Sequence, residues 1–279
     1  MKKKKLQLFI ASLLFIFMVT SCEKIVDIDT PIGESRLIIE AVFEVYFNNN
    51  PITAKTEVRL TTSAPYFDEN IPKVTDATVF ITNLSDNSVV NFTYSNQKGT
   101  YLPNTNFIPS DDIIYELTVI HENEIYKSTN TKQKTPSLVS VIQGDKTLFS
   151  GKETEIKIKF EDDPSQENFY IFDFDGNLRT ALEDRFFNGS VYEFSFFYQE
   201  DEIELPRNVT IKIASATKDY YEFYRVVLNQ SGQNGGGPFQ SVPASLLGNI
   251  INKTNFKNFP LGYFHIADVD KFDLDLVEK

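Results

Sequence analysis

Short β-rich segments punctuated by turn residues predict a mainly β protein of two β-sandwich (immunoglobulin-like) domains, the second carrying one amphipathic helix. Three observations carry this. The chain has 25 Phe and 13 Tyr and no Trp, and aromatic and β-branched side chains suit a pleated, half-buried surface. Apolar and polar residues alternate over many short stretches. Residues 37–134 hold no long helical pattern, and a 3.6-residue period surfaces only later in the chain.

The N-terminus reads as an export signal. Lys2, Lys3, Lys4 and Lys5 form a basic start, and residues 6–19 form an apolar run broken only by Gln7 and Ser12. That run is about 14 residues, a signal h-region and short of the roughly 20 needed to span a bilayer. Thr20 and Ser21 then lead into Cys22, the only cysteine in the chain. An ordinary secretory signal or a short N-terminal anchor would share the charge and the apolar run, but neither asks for a cysteine there. The expectation is a lipoprotein signal peptide over 1–21 and lipidation of Cys22. Two or three acyl chains, at about 0.8 kcal/mol per buried methylene, would hold the protein to a membrane without a spanning helix.

Residues 22–36 read as a polar, acidic tether containing Pro31 and Gly33. An N-terminal β-sandwich is expected over 37–135. Its strands are residues 37–47 (LIIEAVFEVYF) and 53–60, joined by the turn signal Asn48-Asn49-Asn50-Pro51, then 77–82 and 88–94 around a loop at 83–87, then 113–121 and 125–128 around Glu122-Asn123-Glu124. Thr135-Pro136 marks the boundary, and a C-terminal β-rich domain follows over 136–279. Its strands are 138–142, 155–160, 169–174, 191–198 and 209–214. Residues 217–230 place Tyr220, Phe223, Tyr224, Val227 and Leu228 at helical spacing, with Ser215 or Thr217 as the cap. Tyr221 falls off that stripe and is the aromatic expected to be exposed, open to a ligand or partner. A glycine-rich loop over 231–238 ends the helix. Residues 261–265 read as a late strand, and 268–276, where acids alternate with apolar residues, as an edge strand with a charged outer face.

Net charge is −12, and removing the signal lysines takes it to about −16. Such acidity excludes nucleic acid, whose phosphates require clustered Lys and Arg. Chemistry-bearing motifs are scarce. His121 and His265 are the only histidines and lie outside any zinc spacing. There is no Gly-x-Ser-x-Gly elbow, and neither Gly151-Lys152 nor Gly235-Gly236-Gly237 has the surroundings of a phosphate loop. Asp173-Phe174-Asp175-Gly176 faintly resembles the opening of a calcium loop, which makes Asp173 and Asp175 weak calcium candidates, without the distal glutamate. Glu161-Asp162-Asp163 and Asp268 with Asp270 are acids of the same kind. No catalytic residue, cofactor or enzymatic activity is expected.

A set of short segments is spread in order along the chain. It runs from Cys22-Glu23-Lys24 through residues 37–41, 60–67 (LTTSAPYF), 74–79 (VTDATV), 99–101, 115–117, 160–164 (FEDDP), 167–170, Pro238-Phe239 and Asn249-Ile250 to 261–264 (LGYF). In this order they resemble domain-of-unknown-function family 4249, a family of Bacteroidetes outer-membrane lipoproteins. Phe169 stands where a second tyrosine is usual. The resemblance implies a cell-envelope lipoprotein encoded near TonB-dependent outer-membrane receptors, and it carries over no catalytic residue. Acids after the cysteine resemble a surface-export signal, here interrupted by Lys24, which leaves the periplasmic and cell-surface sides both open. The expected role is a non-enzymatic accessory or ligand-capture component beside a TonB-dependent receptor at the outer membrane; the alternative is a structural or adhesive surface lipoprotein.

Cys22→Ser is expected to abolish incorporation of radiolabelled palmitate and to move the protein from the membrane to the soluble fraction. Membrane retention with no label in the unaltered chain would refute lipidation.

Overall fold

A computed structural model describes residues 34–65, 68, 70–175, 178–231 and 246–278. Cys22, most of the tether and the glycine-rich loop beyond Ser231 lie outside the described residues. The described chain is mainly β with one helix. Its first strands are β1 (Leu37–Tyr46), β2 (Thr53–Lys55), β3 (Val58–Thr62), β4 (Thr78–Asn83), β5 (Val89–Tyr94), β6 (Thr100–Pro103), β7 (Ile114–His121) and β8 (Glu124–Thr131). There follow β9 (Leu138–Gln143), β10 (Thr154–Glu161), β11 (Phe169–Phe174), β12 (Leu178–Glu183), β13 (Val191–Tyr198) and β14 (Arg207–Ala216). Helix α1 (Lys218–Gln230), β15 (Ile251–Asn252) and β16 (Leu261–Leu276) complete the order.

Thirteen of these strands join in one sheet, in the order β12-β11-β14-β16-β1-β3-β6-β5-β4-β7-β8-β15 with β2 paired to β1. The other three form a small sheet, β13-β10-β9. Alternation decides which way each strand faces. In β1, Leu37, Ile39, Ala41, Phe43 and Val45 are buried, and the intervening Ile38, Glu40, Val42, Glu44 and Tyr46 look to the other face. The buried set meets β3, β4, β7 and the first half of β16 in one core, where the Phe43 ring packs on Phe92, Phe107 and Phe264 at 5.9, 6.1 and 5.6 Å. A second core lies between β11, β14, the end of β16 and the three-stranded sheet. Phe160 sits at its centre against Tyr170, Phe172 and Phe187, and Phe174 stacks on Phe196 at 3.7 Å.

Strand β16 departs from expectation. The sequence suggests a short strand and then a charged edge strand; the structure has one 16-residue strand in the middle of the large sheet. Residues 261–268 pair in parallel with β1, from Ile38↔Leu261 to Val45↔Asp268, and residues 269–276 pair antiparallel with β14, from Ala214↔Val269 to Arg207↔Leu276. The acids that suggested an edge all have partners. Asp268 binds Lys132 at 2.7 Å, Asp270 accepts from Asn48 and the Leu138 N–H, and Asp273 and Asp275 accept from Thr210 and Asn208 on β14. The boundary expected at Thr135-Pro136 is therefore spanned by β16, whose two halves belong to different cores. Where β14 does not reach, Asn249 both accepts from the Phe264 N–H and donates to its carbonyl, and Gln133 exchanges backbone hydrogen bonds with Ile266 and Asp268.

Helix α1 occupies the expected residues. The Thr217 hydroxyl accepts from the Tyr220 N–H at 3.2 Å and caps it. Its apolar side packs on Phe169, Ile171, Ala216 and Tyr263, on the face of the sheet away from the second core.

Gly262 makes the β1–β16 approach feasible. Its φ is +97°, and a Cβ there would lie 2.1 Å from the Ile39 carbonyl oxygen. Gly262→Ala is expected to destabilise the protein by about 3 kcal/mol, through both backbone strain and the clash. The measurement is the urea midpoint at unchanged m-value; an unshifted midpoint would show that β1 and β16 can separate at no cost.

Candidate functional site

The outer faces of β1, β16, β14 and β11, together with α1, border a cavity of about 530 Å³. Strand pairing lays out its floor, because directly opposed residues share a face. Ile38 is opposite Leu261, Glu40 opposite Tyr263, Val42 opposite His265 and Glu44 opposite Ala267. Across the next strands Val269 is opposite Ala214, Ala214 opposite Ile171, and Lys212 opposite Asp173. Tyr220, Phe223, Tyr224 and Val227 of α1 close one side. The cavity thus takes residues from positions 38 to 269, brought together by β16.

One wall is aromatic. Tyr220 packs on Tyr263 at 4.8 Å and Phe223 on Tyr263 at 5.0 Å. The His265 ring stacks on Tyr220 at 4.1 Å, and its Nε2 lies 2.9 Å from the Ser215 carbonyl oxygen. His265 is 1 % exposed, and burial pushes its pKa down to about 4, so the ring is neutral at ordinary pH. Nε2 therefore carries the proton donated to Ser215.

The other wall is ionic. Among the described lining residues are four acids, Glu40, Glu44, Glu57 and Asp173, and four bases, Lys55, Arg59, Arg179 and Lys212. Lys212 Nζ donates to Glu44 Oε2 at 3.0 Å and to Tyr46 Oη at 3.2 Å, and the Tyr46 hydroxyl donates to Glu44. Arg179 Nε donates to Asp173 Oδ2 at 2.8 Å, and its Nη1 donates to Tyr224 Oη at 2.7 Å, where the two walls meet. Arg59 pairs with Glu40, and Lys55 with Glu57 at 3.1 Å. Burial alone would raise the Glu44 carboxyl, but Lys212, the Tyr46 hydroxyl and Lys55 outweigh it and hold it below the usual carboxylate range. Burial and the neighbouring Glu44 carboxylate raise the Tyr46 phenol well above its ordinary value.

Of the residues singled out from the sequence, Cys22 lies outside the described residues. Asp173 pairs with Arg179 and Asp175 with Arg207, and Gly176 and Asn177, which would continue a calcium loop, lie outside the described residues. No cluster of three or more ligands that could hold a metal occurs among the described residues. Tyr221 requires correction. It is 6 % exposed, with its ring 4.9 Å from Phe169. Phe169, at the start of β11, covers the helix face beside the stripe, so two adjacent faces of α1 are buried. Asp162 accepts from the Tyr170 hydroxyl and the Gly189 N–H, a fold-holding role. Sequence reasoning missed Glu44, Arg179 and Lys212. The only local signal was an acid or base interrupting an apolar strand, as Glu40 and Glu44 do in β1.

A family model described as "Domain of unknown function (DUF4249)" matches residues 23–273. The chain belongs to the DUF4249 family. That family is associated with the outer membrane. No curated relative matches this DUF4249 chain. Among solved structures it is similar to the chicken interferon gamma receptor alpha chain, at 10 % identity over 67 % of this chain and 90 % of that one, with a TM-score of 0.20, too low to bear on function.

Burial of His265 makes stability pH-dependent. The unfolded chain protonates this histidine below about pH 6.5, while the folded chain keeps it neutral down to about pH 4. The stability it contributes is complete above pH 6.5 and is lost as pH falls toward 4, about 3 kcal/mol in all. His265→Gln is expected to lose that much less stability between pH 7 and pH 4 in urea unfolding; parallel pH profiles for the two proteins would refute a buried neutral ring.

Proposed function

We propose that this protein is a non-enzymatic, lipid-anchored envelope component that captures a small ligand and hands it to a TonB-dependent outer-membrane receptor. The cavity carries the reading. Its volume falls within the roughly 300–1000 Å³ of small-molecule sites, and it joins an apolar, aromatic wall to a few placed polar groups, as such sites do. The Cys22 signal supports an anchor, and the acidic charge supports a body that stands off an anionic leaflet. In this reading the two cores are immunoglobulin-like sandwich modules that share β16, and the cavity lies on the face they have in common.

The test is purification from the native envelope after mild solubilisation, followed by native mass spectrometry. An outer-membrane β-barrel is expected to co-purify, and the protein to carry a small molecule that Val42→Trp, which fills the cavity, expels. Recovery of the protein alone and empty would overturn the reading. Lost adhesion with unchanged nutrient uptake in a deletion strain would favour a structural or adhesive role instead.

A further inference from the structure

The arrangement of charge narrows the ligand. The whole chain has 39 acids against 27 bases, yet the described lining residues balance four against four, so the neutrality of the cavity is not inherited from composition. The charges also alternate in space. Asp173 is the direct cross-strand partner of both Arg179 and Lys212, Lys212 reaches Glu44, and Glu44 is the cross-strand partner of Lys55. Among the described lining residues the row is Arg179, Asp173, Lys212, Glu44, Lys55, with signs plus, minus, plus, minus, plus; on β16, between Lys212 and Glu44, Lys271 stands opposite Lys212 beside the Tyr46 ring, outside that lining.

The row has an inner part and a rim. Side-chain exposure is 24 % and 22 % for Lys212 and Glu44, and 41 % and 12 % for Arg179 and Asp173. At the rim it is 54 % and 38 % for Lys55 and Glu57, and 46 % and 44 % for Arg59 and Glu40. An occupant that covers the inner pairs removes their water. An apolar occupant gives nothing back for that desolvation, and a singly charged one satisfies one member of a pair and leaves its partner uncompensated. An occupant with one positive and one negative end can meet both, its carboxylate on Arg179 or Lys212 and its ammonium on Asp173 or Glu44. The hydrogen bond from Arg179 to Tyr224 brings this row to the edge of the aromatic wall, where the partly buried Phe223 offers a face to an apolar side chain. At about 30 Å³ per water-sized group, 530 Å³ holds roughly 17 or 18 such groups, a peptide of two or three residues.

We propose that the cavity binds short zwitterionic peptides, with free amino and carboxyl termini on the alternating charge row and an apolar or aromatic side chain against α1. This rests on the capture reading above and assigns its ligand class.

The experiment titrates the full lipid-anchored chain, in detergent micelles, with Ala-Phe, its N-acetylated form, its C-terminal amide, the doubly blocked dipeptide and maltose as a neutral polyol, by calorimetry. Ala-Phe is expected to bind, and blocking either terminus to weaken binding at least tenfold. Those comparisons use the unaltered protein and do not depend on any variant folding. Lys212→Met and Asp173→Asn, checked for folding by near-ultraviolet circular dichroism, are each expected to weaken Ala-Phe tenfold and to leave the doubly blocked dipeptide unchanged. Equal affinity for free and blocked peptides, no binding of Ala-Phe at millimolar concentration, or binding of maltose in its place would overturn the assignment. If peptides fail while the natively purified protein still carries a molecule that Val42→Trp expels, the peptide class is wrong and capture stands. If the protein is recovered empty and alone, capture itself fails.

Discussion

The pairing of β16 with two different neighbours holds this molecule together. Its first half lies parallel to β1 and its second half antiparallel to β14, so a strand from the end of the chain closes a core begun at residue 37 and another begun near residue 138. A parallel pair cannot be made by a hairpin and requires a long connection. Here nearly the whole described chain forms that connection. Phe264 and Ile266 enter the first core and Leu276 the second, while Tyr263, His265, Ala267 and Val269 floor the cavity on the opposite face. One strand thus sets two cores and one site, and at Gly262 its backbone leaves no room for a Cβ beside the Ile39 carbonyl.

Electrostatics and burial act together on that face. A Lys or Asp on a sheet face that faced open water would contribute little, since exposed ion pairs are worth about 0–1 kcal/mol. In the cavity the partners are half-buried and tied to Tyr46 and Tyr224, so their geometry is held by hydrogen bonds to those phenol oxygens as well as by charge. The same burial keeps His265 neutral and raises the phenol of Tyr46. Acid–base pairs are thereby presented as a fixed pattern to whatever enters.

Much of the fold was legible because it rests on local period. Two-residue alternation located most strands, and the i, i+3, i+4, i+7 spacing from Tyr220 located α1 with its Thr217 cap. The errors came where local pattern was ambiguous. Acids at Asp268, Asp270, Asp273 and Asp275 read as solvated because sequence cannot show that Lys132, Asn48, Thr210 and Asn208 wait opposite them. Tyr221 read as exposed because the helical stripe predicts one buried face, and Phe169 supplies a second. The site was almost illegible: Glu44, Asp173, Arg179 and Lys212 are single charges in strands far apart in the chain, and none belongs to a motif.

What the sequence by itself determined is the set of elements and the identity of the anchor candidate. Both follow from nearest-neighbour chemistry: side-chain period, turn residues, and one cysteine after an apolar run. Which strands became neighbours was decided only in three dimensions, because register between distant segments depends on where every other apolar face is buried. That choice put β16 between β1 and β14, and with it brought charges from residues 40 to 212 onto one wall facing the aromatic side of α1.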